Sequence, residues 1–374
     1  MTKIPFNKPY LTGKEVHYIY QAVYSGKLSG NGVYTGKCQN FFEQRYGFKK
    51  TLLTTSCTDA LEMCAMLINT EPGDEIIIPS YTFVSTALAF VRAGARIVFA
   101  DSYADNPNMD PGKIEALITP RTKAIVPVHY AGVACDMDPI MDIAARHNLI
   151  VIEDAAQAID SCYKGRPLGS IGHLATFSFH ETKNIMAGEG GLLAINDERY
   201  IRRAEILYEK GTNRADFFRG EINKYGWVDT GSSFLPSEII AAFLYAQLEN
   251  LDNIQARRKV LWEQYYRLLK PAADKGLFQL PVIPAYATNN AHMFYLVCPH
   301  PERRNELINR LKENGIMAVF HYQSLHASKY YTSKHDGRAL PNSDMFSDCL
   351  IRLPLYYELE TEDVEKIASI IYGQ

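Results

Sequence analysis

Two residues with complementary chemistry each follow a hydrophobic run of this chain. Asp154 comes after Leu149–Ile152, and Lys183 comes after Ala175–Phe179. An α/β sheet places ligand-contacting side chains at strand ends, so both could reach one site. Pyridoxal phosphate requires an amine to hold its aldehyde as a Schiff base and a carboxylate to keep its ring nitrogen protonated. The pair predicts an enzyme with this cofactor, although singly the lysine could be a surface residue and the aspartate a helix cap or metal ligand.

Other segments could complete such a cofactor pocket. Small hydroxyl residues precede a helix-forming run at Cys57 and Thr58, where free backbone N–H groups would face a phosphate, and an ordinary helix cap is the alternative. Ser178 could add a hydroxyl to the same phosphate. Phe83 follows a predicted strand and offers an aromatic face to the pyridine ring, although a phenylalanine commonly fills a core. Gln157 could donate to the ring hydroxyl oxygen or be a plain polar residue.

Short apolar runs alternate with helical patterns over the first two thirds of the chain. The predicted strands are Glu75–Ile78, Ala95–Ala100, Lys123–Val128, Leu149–Ile152, Ala175–Phe179 and Leu192–Ile195, and the predicted helices include Thr82–Val91, Pro111–Ile118 and Met137–His147. This order is typical of βαβ units around a largely parallel sheet, which is an α/β fold. The segment 12–15, Thr-Gly-Lys-Glu, predicts a capping box that opens an earlier helix.

The last third of the chain has a different pattern. Residues 237–269 contain neither glycine nor proline and predict a long helix, with room for a break near Leu251 and an end at Lys270-Pro271. Predicted strands at 292–298 and 317–322 flank a helix at 302–314, and a final helix follows Thr361. We therefore predict a large cofactor-binding domain with an N-terminal arm, residues 1–250, and a smaller α+β domain, residues 251–374.

Composition and charge favour an ordinary globular enzyme. The 374 residues are 47% hydrophobic and 22% charged, with a net charge of −3 and no long basic run, which argues against a nucleic-acid partner. The seven cysteines are irregularly spaced without a C-x-x-C motif, which favours reduced thiols over disulfides or a metal site. The N-terminus lacks an apolar signal region, and no apolar stretch approaches the ~18 residues of a membrane helix. These features predict a cytoplasmic protein without a membrane partner.

Taken together, the motifs resemble those of the DegT/DnrJ/EryC1/StrS sugar aminotransferases, which have the type I fold of enzymes dependent on pyridoxal phosphate. The resemblance covers nearly the whole chain and rests on TTSCTDALEM, PSYTFVSTA, VPVHYAG, EDAAQ, FSFHETKN, GEGG, EKGTNR and FHYQSLH, in this order. It implies a large domain with a mainly parallel mixed sheet flanked by helices, and a smaller α+β C-terminal domain.

The resemblance also assigns roles. Lys183 matches the Schiff-base lysine and the proton carrier, Asp154 the partner of the ring nitrogen, and Gln157 the residue near the ring hydroxyl. Phe83 falls at the stacking position, and Cys57, Thr58 and Ser178 fall at the phosphate. Many members have G-Y-N-Y-R where this chain has Gly-Ser-Ser-Phe-Leu at 231–235. The family's asparagine reaches the partner's cofactor phosphate in a homodimer, so Ser233 would serve here with a shorter side chain.

The implied reaction passes an amino group from L-glutamate to the cofactor and then to a nucleotide-linked ketosugar. The preferred ketosugar is dTDP-4-keto-6-deoxyglucose, giving the 4-amino-4,6-dideoxygalactose nucleotide for a surface glycan. The candidate contacts to this substrate are Lys210, Arg214, Tyr225, His321, Tyr322 and His326. A gluco product, amination at C3 and a non-catalytic regulator that binds the cofactor remain as alternatives. A family dehydratase would need a histidine in place of Lys183, and a nicotinamide enzyme would need a G-x-G-x-x-G motif.

Overall fold

The computed structural model of the protein describes residues 3–372. Its helices are α1 Glu15–Tyr24, α2 Val33–Tyr46, α3 Cys57–Leu67, α4 Ser85–Arg92, α5 Met137–Arg146, α6 Ile201–Tyr208, α7 Arg214–Phe218, α8 Glu238–Leu248, α9 Leu251–Ala273, α10 Pro301–Glu313, α11 Pro341–Cys349 and α12 Thr361–Tyr372. Its strands are β1 Lys50–Thr54, β2 Glu75–Pro79, β3 Arg96–Ala100, β4 Thr122–Ile125, β5 Ile150–Asp154, β6 Cys162–Tyr163, β7 Arg166–Pro167, β8 Leu174–Ser178, β9 Gly191–Ile195, β10 Phe294–Val297, β11 Val319–Phe320 and β12 Leu350–Leu353. No helix within this range is long and apolar enough to cross a membrane.

A seven-stranded sheet in the order β1-β9-β8-β5-β4-β2-β3 forms the centre of the large domain. Strands β3, β2, β4, β5 and β8 pair in parallel, whereas β9 is antiparallel to both β8 and β1. Two apolar clusters cover the sheet, one containing Phe42 of α2 and Leu244 of α8, the other containing Leu61 of α3 and Phe90 of α4. All five residues of β2 and of β9 are buried, as expected of strands covered on both faces. The predicted α/β fold with a mainly parallel mixed sheet is confirmed.

The directions of the strands bring several chain segments to one edge of this sheet. Parallel β5 and β8 end there at Asp154 and Ser178. Because two antiparallel pairings separate β1 from β8, β1 points the same way and delivers the start of α3 to that edge. The segment after β2 arrives there as well. The fold therefore gathers the predicted cofactor residues at the carboxyl ends of the strands.

A three-stranded antiparallel sheet, β10-β12-β11, lies in the last third of the chain. One face packs on helices α9, α10 and α12 through an apolar cluster that includes Tyr265, Leu307 and Ile367. The break predicted near Leu251 is present, since α8 ends at Leu248 and α9 begins at Leu251. The domain boundary at residue 250 stays a prediction.

Several predicted element limits were wrong. The segment predicted as a helix at 111–118 forms two short 3₁₀ turns, and α4 begins at Ser85 rather than Thr82. Helix α9 continues past Pro271 to Ala273, because a proline in the last turn removes only one intrahelical hydrogen bond. The strand predicted at 317–322 shortens to Val319–Phe320, and Tyr322 just after it has φ 59°.

Only half of the predicted capping box forms. Helix α1 begins at Glu15, whose carboxylate accepts hydrogen bonds from the backbone N–H groups of Thr12 (2.7 Å) and Gly13 (2.9 Å). The Thr12 hydroxyl instead accepts from the N–H of Lys14 (3.4 Å). The glutamate therefore ties down the residues before α1 without a threonine cap.

Candidate active site

A cavity of about 410 Å³ opens at the edge of the large sheet where β5 and β8 end. The predicted cofactor residues that line it are Cys57, Thr58, Phe83, Asp154, Gln157, Ser178 and Lys183. The predicted substrate residues that line it are His321 and Tyr322. Segments far apart in the sequence thus converge on one chamber.

Lys183 is the amine of this cavity. Its backbone N–H donates to the carbonyl of His180 (2.9 Å) in a turn that follows β8. Burial, together with the positive charge of Arg352, lowers the pKa of Lys183 to about 8, although Cys57 and Asp154 act in the opposite direction. A lysine with this pKa is partly neutral near pH 7 and can act as a nucleophile.

Asp154 is the buried carboxylate at the end of β5. One of its oxygens accepts a hydrogen bond from the Thr86 hydroxyl (2.7 Å), and the other accepts from the backbone N–H of Ala156 (3.2 Å). Burial raises the pKa of Asp154 above its usual value, although both hydrogen bonds oppose the shift. An adjacent cation would favour the ionised form, as a protonated ring nitrogen would.

Glu153, the residue before Asp154, is buried behind the cavity. Its Oε1 accepts from the backbone N–H groups of Ile171 (2.7 Å) and Gly172 (2.6 Å), and its Oε2 accepts from the N–H of Gly169 (2.8 Å) and lies 2.9 Å from His129 Nε2. These hydrogen bonds lower the pKa of Glu153 in spite of its burial, which acts in the opposite direction. The carboxylate therefore fixes the loop before β8 and the segment before α5 against β5.

Gln157 connects the large domain to the segment after β11. Its Oε1 accepts from the backbone N–H of Ala131 (2.6 Å), and its Nε2 donates to the Tyr322 hydroxyl (3.1 Å). Ala131 has φ 57°, so its N–H is presented by a left-handed backbone conformation. Because Oε1 is occupied by Ala131, the amide nitrogen Nε2 is the atom on the side of Tyr322, and it is a hydrogen-bond donor.

The N-terminus of α3 forms the anion-binding end of the cavity. Ser56 caps the helix by accepting from the N–H of Asp59 (3.0 Å), and the backbone N–H groups of Cys57 and Thr58 in the first turn have no partner within the helix. The Thr58 hydroxyl lies 2.8 Å from the Ser85 hydroxyl. A Cβ atom at Gly191 would overlap the backbone of Ser56 and Cys57, so only glycine lets β9 approach this terminus. Free N–H groups and hydroxyls are the donor set that a phosphate requires.

His321 and Tyr322 enter the cavity from the segment after β11. His321 Nδ1 lies 2.7 Å from the Tyr130 hydroxyl, and the Tyr81 hydroxyl donates to the His321 carbonyl. Burial holds the pKa of His321 well below its usual value, and the charge of Arg352 adds to the shift. The histidine is therefore neutral at pH 7 and suited to hydrogen bonding rather than to ion pairing.

Of the five predicted residues that lie outside this cavity, four belong to the segment 210–233. Lys210, Arg214 and Ser233 line a second cavity of about 600 Å³, and Tyr225 is half exposed and packs its ring edge on Phe217. Arg214 begins α7 and places its guanidinium 5.1 Å from the Phe218 ring centroid. The roles of these four residues stay predictions.

The predicted sugar contact of His326 does not fit its position. Its Nδ1 lies 2.7 Å from the Ser80 hydroxyl, and its Nε2 faces Asp344 at 3.6 Å. One ring nitrogen thus faces Ser80, which follows β2, and the other faces Asp344 of α11, and His326 does not line the cavity. His326 joins the segment after β11 to the large domain instead of facing a ligand.

Sequence reasoning missed Thr86, which orients the Asp154 carboxylate. The sequence did contain a clue, which is the spacing of four residues between Thr82 and Thr86. In the structure their hydroxyl oxygens lie 3.0 Å apart. Arg352, whose charge lowers the pKa values of Lys183 and His321, was also missed, because it lies in none of the motifs quoted above.

The chain matches known proteins over almost its full length. A model of the DegT/DnrJ/EryC1/StrS aminotransferase family covers residues 9–372. Spr1654 from Streptococcus pneumoniae in its PLP form is 26% identical with a TM-score of 0.90, over 99% of this chain and 99% of that chain. DesV of S. venezuelae is 29% identical with a TM-score of 0.90, over 100% of this chain and 98% of that chain. PseC of Helicobacter pylori, an aminotransferase involved in the biosynthesis of pseudoaminic acid, is 25% identical with a TM-score of 0.90, over 98% of both chains.

Proposed function

Because the chain belongs to the DegT/DnrJ/EryC1/StrS aminotransferase family, we propose that it transfers an amino group from L-glutamate to a nucleotide-linked ketosugar. The cofactor is pyridoxal phosphate, in keeping with the PLP form of Spr1654. The preferred acceptor is dTDP-4-keto-6-deoxy-D-glucose, and the product is dTDP-4-amino-4,6-dideoxy-D-galactose. The participation of PseC in pseudoaminic acid biosynthesis supports a sugar as the acceptor.

The observation that carries this proposal is that Lys183 and Asp154 share one cavity with an anion-binding helix terminus. When bound, pyridoxal phosphate supplies an electron sink for the substrate carbon. The Lys183 amine, with a pKa lowered to about 8, would move a proton between that carbon and the C4′ carbon of the cofactor. Asp154 would hold the proton of the ring nitrogen, and Gln157 Nε2 would donate to the ring hydroxyl oxygen. The helix N-terminus and the hydroxyls of Thr58 and Ser178 would hold the phosphate.

The second cavity supports a homodimer with shared active sites. Lys210, Arg214 and Ser233 lie together there rather than beside Lys183. If the segment carrying them faces the partner's cavity, its two cations can contact the substrate diphosphate and Ser233 can reach the partner's cofactor phosphate. Sedimentation of the active enzyme as a monomer at assay concentrations would contradict this arrangement.

The test of the proposed function separates the two halves of the reaction. The purified protein should be yellow, and its cofactor absorbance band should shift on adding L-glutamate. With dTDP-4-keto-6-deoxyglucose present, NMR of the product should identify a 4-amino sugar with galacto configuration. A product with gluco configuration, or with its amino group at C3, would change the proposed orientation of the sugar but not the proposed type of reaction. A protein that binds the cofactor without responding to glutamate would be a non-catalytic regulator.

A further inference from the structure

His180 and Glu189 form a pair of polar side chains on the wall of the main cavity. Strands β8 and β9 pair in antiparallel register as far as Ser178 and Gly191. Two backbone hydrogen bonds of 2.8 and 2.9 Å continue this pairing past the ends of both strands. The same register places His180 directly opposite Glu189, where the two side chains lie on one face.

The pair lies on the same face as the predicted cofactor contacts. Side chains two residues apart along a strand share a face, so His180 lies on the side of Ser178, which also lines the cavity. The backbone N–H of Lys183 donates to the carbonyl of His180 (2.9 Å), so the turn that carries the amine begins at this histidine. The pair is therefore tied to the segment of Lys183 rather than to a remote surface.

The tautomer of the His180 ring is set by Thr182. The backbone N–H of Thr182 donates to His180 Nδ1 (3.3 Å), and the Thr182 hydroxyl lies 2.9 Å from the same atom. Nδ1 is therefore the acceptor nitrogen of the neutral ring, and the proton is on Nε2. The ring thus presents an N–H donor on the side of Glu189.

Glu189 supplies an acceptor beside this donor. Its Oε1 lies 3.8 Å from His180 Nε2, which exceeds hydrogen-bond distance, and both side chains are partly exposed. A contact of this kind adds little to stability. Because hydrogen bonds span about 2.7–3.0 Å, one ligand oxygen can reach both atoms. A hydroxyl group is the ligand group that accepts one hydrogen bond and donates another.

We propose that His180 and Glu189 bind one hydroxyl of the hexose that receives the amino group, and this inference rests on the proposed transfer to a ketosugar. His180 Nε2–H donates to the hydroxyl oxygen, and the hydroxyl donates to Glu189 Oε1. The preferred ketosugar carries hydroxyls at C2 and C3, whereas L-glutamate carries none, so the pair is specific for the acceptor. The carbon that is aminated must lie beside Lys183, and the nucleoside lies beyond the diphosphate. A hydroxyl of the hexose is therefore the one that the pair meets.

The test measures binding of the ketosugar to holoenzyme that has not met glutamate, which has no amino group to give and binds the sugar without turnover. Calorimetry gives the Kd for dTDP-4-keto-6-deoxyglucose and for dTDP. Glu189→Ala should raise the Kd for the ketosugar about 10-fold, the loss of one hydrogen bond to a charged group at a partly exposed site. His180→Ala should raise it about 3-fold to 10-fold, and His180→Gln should recover part of this loss, because its amide is also a donor.

Two further variants sharpen the test. Because both groups hold one hydroxyl, the double variant of His180→Ala and Glu189→Ala should lose less than the product of the two single losses. Glu181→Ala is the matched control, since Glu181 is exposed, carries the same charge one residue from His180 and does not line the cavity. It should bind the ketosugar as wild type does.

Binding of the hexose is distinguished from other roles by the nucleotide and by the donor. The variants should keep the wild-type Kd for dTDP, the cofactor absorbance and the spectral response to glutamate. An equal rise of the Kd values for dTDP and the ketosugar would assign the pair to the nucleotide and overturn the proposal. Wild-type binding of the ketosugar in both alanine variants would overturn it as well, as would loss of cofactor absorbance. If wild-type holoenzyme shows no spectral response to glutamate, the proposed function itself fails, whatever the variants do.

Discussion

The lowered pKa of Lys183 gives a quantitative prediction about its reactivity. Burial lowers this pKa to about 8, whereas an exposed lysine titrates near 10.4. At pH 7 the neutral fractions are therefore about 9% and about 0.04%, a ratio of roughly 200. Because only the neutral amine attacks an aldehyde, Lys183 should react with a small aldehyde far faster than a surface lysine at the same pH.

Reductive methylation of the apoenzyme with formaldehyde, followed by peptide mass spectrometry, measures this ratio residue by residue. The rate at Lys183 should rise with pH, since the amine loses its proton, and should level off above about 8. Lysines on the protein surface serve as internal controls, because a solvated lysine amine in a model peptide titrates at about 10.4. A midpoint for Lys183 near that of the exposed lysines would refute the argument from burial.

Two variants test the electrostatic part of the same argument. Arg352 lowers the pKa of Lys183 and Asp154 raises it. Arg352→Gln should therefore shift the methylation midpoint of Lys183 upward, and Asp154→Asn should shift it downward. Shifts in the same direction for both variants would contradict the assignment of these charges.

Three other predictions follow from the site. Asp154→Ala should weaken cofactor retention and reduce turnover sharply, because an unprotonated ring is a poor electron sink; full cofactor absorbance after gel filtration, with normal turnover, would remove Asp154 from the site. Glu153→Gln should lower the free energy of unfolding by about 3 kcal/mol or more in urea titrations, because the new NH₂ group loses two acceptor contacts of roughly 1.5–3 kcal/mol each; a change below about 1 kcal/mol would contradict this. Arg214→Ala should raise the KM for the nucleotide sugar about 10-fold or more, as expected for one charge-assisted contact, and leave the glutamate half-reaction nearly unchanged. Equal effects of Arg214→Ala on both half-reactions, or none, would show that Arg214 does not contact the diphosphate.

The parts of the fold that sequence predicted best were the buried parallel strands. Short apolar runs that alternate with helical segments, such as Glu75–Ile78, can be interpreted only as buried strands. The observed β2 extends one residue beyond this prediction, to Pro79. Strand β1 was missed because Lys50–Thr54 contains only two apolar residues, Leu52 and Leu53, with polar residues on both sides. The helix α2 was missed because Val33–Tyr46 has polar residues on most of its surface and no capping side chain. Local patterns identify an element only where burial constrains its composition.

A site residue could be predicted when it met two conditions: it followed a predicted strand, and its side chain had the chemistry that the reaction requires. Asp154 and Lys183 met both conditions, and both line the cavity. His326 met them too, yet the chain turns after Leu325 and directs its ring toward Ser80. Arg352 met neither, since it lies inside a strand of the small domain and is brought to the site by tertiary packing alone.

The burial of Asp154 and Lys183 has opposite effects on their pKa values, yet the same effect on their charge. Burial raises the pKa of the carboxyl and lowers that of the amine, so each is shifted toward its neutral form. For the amine this is the form that attacks a carbonyl. For the carboxyl, a cation at the ring nitrogen would oppose this shift and favour the charged form. Pairing a protonated ring with Asp154 therefore stabilises both partners, whereas Lys183 needs no ion partner to act. In the proposed site, one physical cause, desolvation, would thus both prepare Lys183 as a nucleophile and make Asp154 selective for a cationic ring.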